Sequence, residues 1–253
     1  IMATTDLHVH IHPWDYYADQ PSDIVGLART AALARAARAE AANAILVDNG
    51  DFLQGNPLGD FMAFERGLRP GETHPMIAAM NAVGFDAATI GNHEFNYGLE
   101  FLANALASAA FPVVSANLVR RQGTTPLDDD MFLPPYTVID RQVTDGAGQT
   151  HPLRIGLIGL APPQVMTWDS HHLKGKLDAR DMVAAARAWV PRMKQDGCDV
   201  VVALAHCGIG AVDHYQGMEN AAIPIAGIDG IDAIVTGHSH LVFPGPAFGK
   251  RPE

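Results

Sequence analysis

At 253 residues and 48% hydrophobic side chains the chain is long enough to bury one large core, and no apolar run approaches the ~20 residues that cross a bilayer. With 17 Lys and Arg against 28 Asp and Glu the net charge is −11, and no Lys/Arg stripe exists to release counterions, which argues against a nucleic-acid polymer as partner. The two cysteines, Cys198 and Cys207, flank one extended run that sets them roughly 30 Å apart, so no internal disulfide is expected, and Cys207 is read as a small, partly buried turn residue.

From the N terminus, residues 3–7 read as a short strand, and residues 24–43 as an Ala- and Arg-rich helix with Ser22 or Asp23 as its cap. Residues 44–47 form an apolar strand ending at Asp48. Residues 75–83 predict a helix closed by Gly84, residues 87–90 a strand, 99–109 a helix and 112–116 a strand. Residues 120–135 read as a solvated loop whose Asp128, Asp129 and Asp130 form an exposed charge cluster. Residues 136–143 and 153–160 predict a strand pair, and residues 181–194 a helix that Pro191 should kink or end. Residues 200–204 and 233–236 are the last buried strands. This alternation predicts an α/β fold with mostly parallel strands. The Pro- and Gly-rich residues 244–253 read as the start of a linker leading out of a domain of residues 1–243.

Five short blocks come just after these strands and carry metal-ligand chemistry. Asp6 and His8 alternate at the first strand's exit, where period two sends both side chains to one side; His10 and His12 continue the alternation without an assigned role. In Asp48-Asn49-Gly50-Asp51 a carboxylate can bridge two ions roughly 3.5–4 Å apart. Asp51, beyond the glycine, is the better placed, while Asp48 is expected to cap the loop by hydrogen bonding. Asn92 offers an amide oxygen where carboxylates already crowd, and His93 stays free to donate a proton. His206, His238 and His240 complete the set. All fall past the C-terminal ends of strands, where open α/β sheets place their sites. Carboxylate, amide and imidazole ligands in this mix suit two divalent ions of Mn, Zn, Fe or Co.

In this order the blocks resemble the calcineurin-like metallophosphoesterases. Thr5-Asp6-Leu7-His8, Leu46-Val47-Asp48-Asn49-Gly50-Asp51, Gly91-Asn92-His93-Glu94-Phe95-Asn96-Tyr97-Gly98 and Trp168-Asp169 are similar to the bacterial group that contains 5′-nucleotidases and 2′,3′-cyclic-nucleotide phosphodiesterases. The resemblance implies a four-layer αββα sandwich of two mixed sheets flanked by helices. It implies one ion on Asp6, His8, Asp51 and His240 and a second on Asp51, Asn92, His206 and His238. A metal-bound hydroxide would attack phosphorus, with His93 assisting. Asn96, standing where the 5′-nucleotidase branch has Asp, fits the cyclic-phosphodiesterase branch and accepts the His93 N–H without supplying charge. The implied activity is hydrolysis of 2′,3′-cyclic nucleotides to 3′-nucleotides and of these to nucleosides; a 5′-nucleotidase-type phosphomonoesterase is the alternative. Relatives carry a C-terminal substrate-binding domain that these residues lack, so a metal-binding domain inactive without that partner is a further alternative. No membrane partner is expected. The periplasm is implied by the resemblance, with no signal peptide in these residues. Asp6-Leu7-His8-Val9-His10 is also similar to the opening of amidohydrolase-type barrels, a reading that leaves Asn92 unexplained.

Overall fold

The computed structural model describes residues 1–248. Two four-stranded sheets face one another. The first joins β1 (Met2–Thr4), β2 (Leu46–Asp48), β3 (Ala87–Thr89) and β4 (Val113–Val114) in that order, every pairing parallel. The second joins β5 (Tyr136–Thr144), β6 (Thr150–Leu160), β7 (Val200–Ala205) and β8 (Ala233–Thr236). Here β5 pairs antiparallel to β6, while β6, β7 and β8 run parallel. Only this second sheet is mixed.

Alternation along the strands decides the layering. On one face Val47, Ala87, Leu157, Val202 and Leu204 pack into a core between the sheets. On the opposite face of the first sheet, Leu46 and Ala88 meet α1 (Leu27–Glu40), α2 (Pro75–Val83) and α3 (Gly98–Leu106). On the far face of the second sheet, Ile158, Val201, Ala203 and Ala205 meet α4 (Met182–Gln195) and α5 (Ala222–Ala226). The result is the expected αββα sandwich. The sheets approach closely at Gly159, where a Cβ would collide with the Val114 carbonyl and lie 2.5 Å from Thr89 Oγ1.

Several expectations are corrected. Helix α1 starts at Leu27, not 24, and neither Ser22 nor Asp23 caps it. Gly26 turns the chain at φ 113°, and the first amides of α1 donate to the His10 and Ile11 carbonyls at 2.7 and 2.9 Å. The helix is therefore capped by the loop that carries His8. Pro191 neither ends α4 nor stops it short of Gln195, because buried Val190 and Met193 on either side hold that turn to the core. Residues 120–135 are not a free loop. Leu118–Arg121 pairs antiparallel with Asp130–Met131 and with Asp178–Ala179, Asp128 closes a capping box on Thr125, and the Asp129 side chain is fully buried in an ion pair with Arg180. Asp128 and Asp130 are exposed as expected, and Asp129 is the one that is not.

Both cysteines are free and buried; burial pushes the Cys207 thiol up to about 12, and Cys207 belongs to neither cluster of possible metal ligands among the described residues. No helix of the described residues is long and apolar enough to cross a membrane. The linker reading of residues 244–253 extends onto residues 249–253, outside the described residues; before them Leu241, Val242 and Phe243 are exposed.

Candidate metal centre

Loops leaving β1, β2, β3, β7 and β8 converge at one edge of the sandwich. After β1 the chain runs beside the loop after β2 through Asp6 N–H to Gly50 carbonyl (3.0 Å), His8 N–H to Asp51 carbonyl (2.8 Å) and Val9 N–H to Phe52 carbonyl (3.2 Å). Asp48 holds that second loop as expected, accepting from Gly50 N–H at 2.9 Å and from Thr4 Oγ at 2.5 Å; burial pushes its carboxyl up to about 8. Asn49 ties the two sheets together, donating to the Ala205 carbonyl at 3.1 Å.

The side chains meet in two groups, Asp6, His8 and His240 in one and Asp51, His206 and His238 in the other, each with its ligand atoms within 4.8 Å of one another. His240 Nε2 lies 3.2 Å from both Asp6 Oδ1 and His8 Nε2. His206 Nε2 lies 2.9 Å from Asp51 Oδ2 and 4.0 Å from Asp6 Oδ1, so the groups abut. Asn92 joins the second group through its Oδ1, 2.9 Å from His238 Nδ1. All seven residues read as ligands from the sequence are thus brought together, and His10 and His12 stay outside both groups.

Three observations fit this cluster to divalent cations. First, Asp6 Oδ1 is buried with no hydrogen-bond partner, as an atom reserved for an ion would be, and His206 Nε2 faces Asp51 Oδ2 at 2.9 Å as two ligands of one ion would. Second, ring nitrogens on the far side are anchored. His8 Nδ1 donates to the Gln54 carbonyl and His206 Nδ1 to the Asn49 carbonyl, both at 2.7 Å, which leaves each Nε2 lone pair facing the cluster. His238 Nε2 is likewise held by Glu219 Oε1 at 2.9 Å, leaving Nδ1 inward. Third, Asp6, His8, Asp51, His238 and His240 all have positive φ, from 45° to 68°. That region is unfavourable for non-glycine residues, and outliers of this kind mark functional sites.

The backbone around the cluster leaves no room for side chains. A Cβ on Gly91 would collide with Asp51 Oδ1 and lie 2.6 Å from His206 Nε2, and one on Gly237 would collide with Thr5 Oγ1 and approach Asp6 Oδ2 to 2.9 Å.

Burial alone would raise Asp51, but hydrogen bonding and attraction to His206, with His93 adding to it, hold its carboxyl below the usual range. Burial would lower His206, yet Asp51, Asp6 and Glu94 push it up to about 9. A cation entering that group must therefore displace a proton. The affinity should rise about tenfold per pH unit between pH 6.5 and 8.5. Calorimetry with Zn²⁺ in buffers of different ionisation enthalpy would measure the released proton; affinity independent of pH would show that His206 carries no proton there before the cation enters.

His93 sits beside the cluster, its ring centroid 5.0 Å from that of His8, and its Nδ1 meets Asn96 Oδ1 at 2.6 Å. Three contributors escaped the sequence reading. Glu94, within the Gly91–Glu94 block, accepts four backbone N–H groups, and Asp169, within the Trp168-Asp169 pair, accepts from Asn96 Nδ2 at 2.9 Å. Glu219 carried no local signal.

The calcineurin-like phosphoesterase family model matches residues 1–242. The chain is 46% identical over 253 residues to a 2′,3′-cyclic-nucleotide 2′-phosphodiesterase/3′-nucleotidase of Haemophilus influenzae, covering 100% of this chain and 38% of that protein. It is 47% identical over 249 residues to a protein of the same description from Yersinia enterocolitica, covering 98% of this chain and 37% of the relative. The chain therefore spans well under half the length of these relatives. Among solved structures, the calcineurin-like phosphoesterase YfkN of Bacillus subtilis superposes with a TM-score of 0.91 at 41% identity, covering 98% of this chain and 73% of that one. A 5′-nucleotidase precursor of Thermus thermophilus superposes at 0.69 with 27% identity, covering 97% and 43%. With the strand-end loops and the paired ligand groups in place, the chain belongs to the calcineurin-like phosphoesterase family.

Proposed function

We propose that this chain is a metal-dependent phosphoesterase domain that opens 2′,3′-cyclic nucleotides to 3′-nucleotides and hydrolyses these to nucleosides. The observation that carries the reading is the pair of abutting ligand groups, in which His206 Nε2 lies 2.9 Å from Asp51 Oδ2 and 4.0 Å from Asp6 Oδ1. Identity of 46% to a relative described by that activity supplies the substrate class. Asp6, His8, Asp51 and His240 would hold one cation, and Asp51, Asn92, His206 and His238 the other, with Mn²⁺, Zn²⁺, Fe or Co²⁺ suited to this donor set. Bound there, two cations would activate water and offset the charge that builds on phosphorus oxygens.

The chain's own residues supply the rest. Either reaction expels a ribose oxygen that needs a proton, and His93 is the imidazole beside the ligand groups that no ligand role consumes. Its Nδ1–H is held by Asn96, so Nε2 is the nitrogen that takes up a proton and, from the imidazolium, delivers it to the leaving oxygen. The protein's share of the work is to keep the ligand atoms at fixed positions, which the anchored His8, His206 and His238 rings do. Recognition of the base is assigned to a region outside these residues, in keeping with the 38% of the relative's length that is matched.

Turnover of 2′,3′-cyclic AMP, 3′-AMP and 5′-AMP with Mn²⁺ tests the proposal. Hydrolysis of the first two in preference to the third is expected. Preference for 5′-AMP would replace the reading with a 5′-nucleotidase, consistent with the 27% identity to the 5′-nucleotidase of Vibrio cholerae. No turnover by folded, metal-loaded protein, with the C-terminal portion of a relative added, would sink it.

A further inference from the structure

Asn96 presents the His93 ring with an amide oxygen where a charged carboxylate would orient it more strongly. Behind that amide stands Asp169, 3% exposed, whose Oδ1 lies 2.9 Å from Asn96 Nδ2 and whose Oδ2 has no hydrogen-bond partner. An amide's oxygen and nitrogen can be exchanged by a half-turn, so its orientation needs a reason. A carboxylate can only accept. The Asn96 NH₂ must therefore face Asp169, its oxygen must face His93, and the His93 proton must sit on Nδ1.

The segment carrying Asp169 is built to keep it there. It lies between the helical turns Val165–Trp168 and Ser170–Leu173. Its N–H donates to the Val165 carbonyl and its carbonyl accepts from Leu173 N–H, both at 3.0 Å. Next to it, His172 Nε2 donates to the Asn96 carbonyl at 3.1 Å, and the Trp168 ring stacks on His238 with centroids 5.6 Å apart. The same short segment thus touches a ligand and the support of His93.

We infer that Asp169 is a positioning residue that acts through Asn96, fixing the amide and so the Nδ1–H tautomer and aim of His93. The inference rests on the proposed role of His93, but its geometry stands apart from any substrate. In its absence the amide can flip, and Nε2 ceases to be the single free nitrogen.

The test is a charge exchange. Asp169→Asn removes the obligation on Asn96, and turnover of 2′,3′-cyclic AMP by the Zn²⁺-loaded protein should fall about 10–100-fold, mostly in kcat. Asn96→Asp alone sets two carboxylates face to face and should also lose activity. Combined, Asn96→Asp and Asp169→Asn place the charge directly on His93 with an amide behind it, and should recover to within about threefold of the parent, a strongly non-additive cycle. In ¹⁵N-histidine spectra of the Zn²⁺-loaded protein, with His93→Gln identifying the signals, the parent and the double variant should show the Nδ1–H form and Asp169→Asn a mixture. An unchanged His93 tautomer in Asp169→Asn, or a double variant no better than either single one, would overturn the inference. A tautomer change in a protein that hydrolyses none of the nucleotides would support the positioning role and remove the function assigned to His93.

Discussion

Asp51→Asn is expected to abolish hydrolysis and to halve the number of divalent ions bound. Asp51 is 1% exposed, and its two oxygens have different duties: Oδ1 accepts His93 N–H at 2.7 Å and Oδ2 lies 2.9 Å from His206 Nε2. Its backbone carbonyl accepts from His8 N–H of the first group at 2.8 Å while its side chain meets His206 of the second, so it stands between the two. An amide keeps the shape and one acceptor but removes the charge that lets one side chain serve two cations. The NH₂ would also face either the His93 N–H or the His206 ring. Turnover should drop by at least about 10³-fold, or ~4 kcal/mol of transition-state stabilisation. Equilibrium dialysis should give one tightly held ion per chain in place of two. Retention of both ions and of turnover would show that the groups work independently of Asp51.

Much of this centre could be read from the chain because its logic is local. Buried strands such as residues 44–47 and 233–236 stand out as apolar runs, and parallel pairing brings the loop after each run to the same edge. Helix α2 was legible at both ends, since Pro75 opens it and Gly84, at φ 79°, closes it. Asp48 could be separated from Asp51 because an Asp two residues before a glycine turn caps its own loop. The start of α1 was not legible: its first amides are satisfied by carbonyls of residues 10 and 11, which leave no side-chain signature. Asp129 read as solvated because its partner Arg180 is 51 residues away. The positive φ values of Asp6, His8, Asp51, His238 and His240 could not be foreseen either: Asp and His are enriched in the left-handed region, but only a small fraction of them adopt it. Of the seven non-glycine residues with positive φ among the described residues, five are proposed ligands, Val9 and Asp19 being the others.

Glu94 is the clearest case of a residue whose neighbours were legible while its own role was not, and it carries the largest stability effect expected. Its carboxylate is 1% exposed and accepts Gly91 N–H at 2.6 Å, Asp51 and Phe52 N–H at 2.7 Å and Leu53 N–H at 3.1 Å. Three of these donors come from the loop after β2, which carries Asp51, and the fourth from the loop after β3, so one side chain clamps two ligand loops together. Glu94→Ala would leave four buried N–H groups without an acceptor, each costing about 1–3 kcal/mol if unrelieved. Relaxation and entering water reduce the sum, and a loss on the order of 4 kcal/mol is expected. For a chain of this size that lowers Tm by roughly 8–16 °C. Glu94→Gln keeps the volume but turns an NH₂ toward two N–H donors, so it should recover less than half of the loss. Asp51→Asn leaves the clamp intact and should shift Tm by much less. Thermal unfolding of the three variants in EDTA would read the clamp apart from metal binding. A Glu94→Ala protein as stable as Asp51→Asn would mean that the loops are held by their ladder from Asp6 to Val9 and not by this carboxylate.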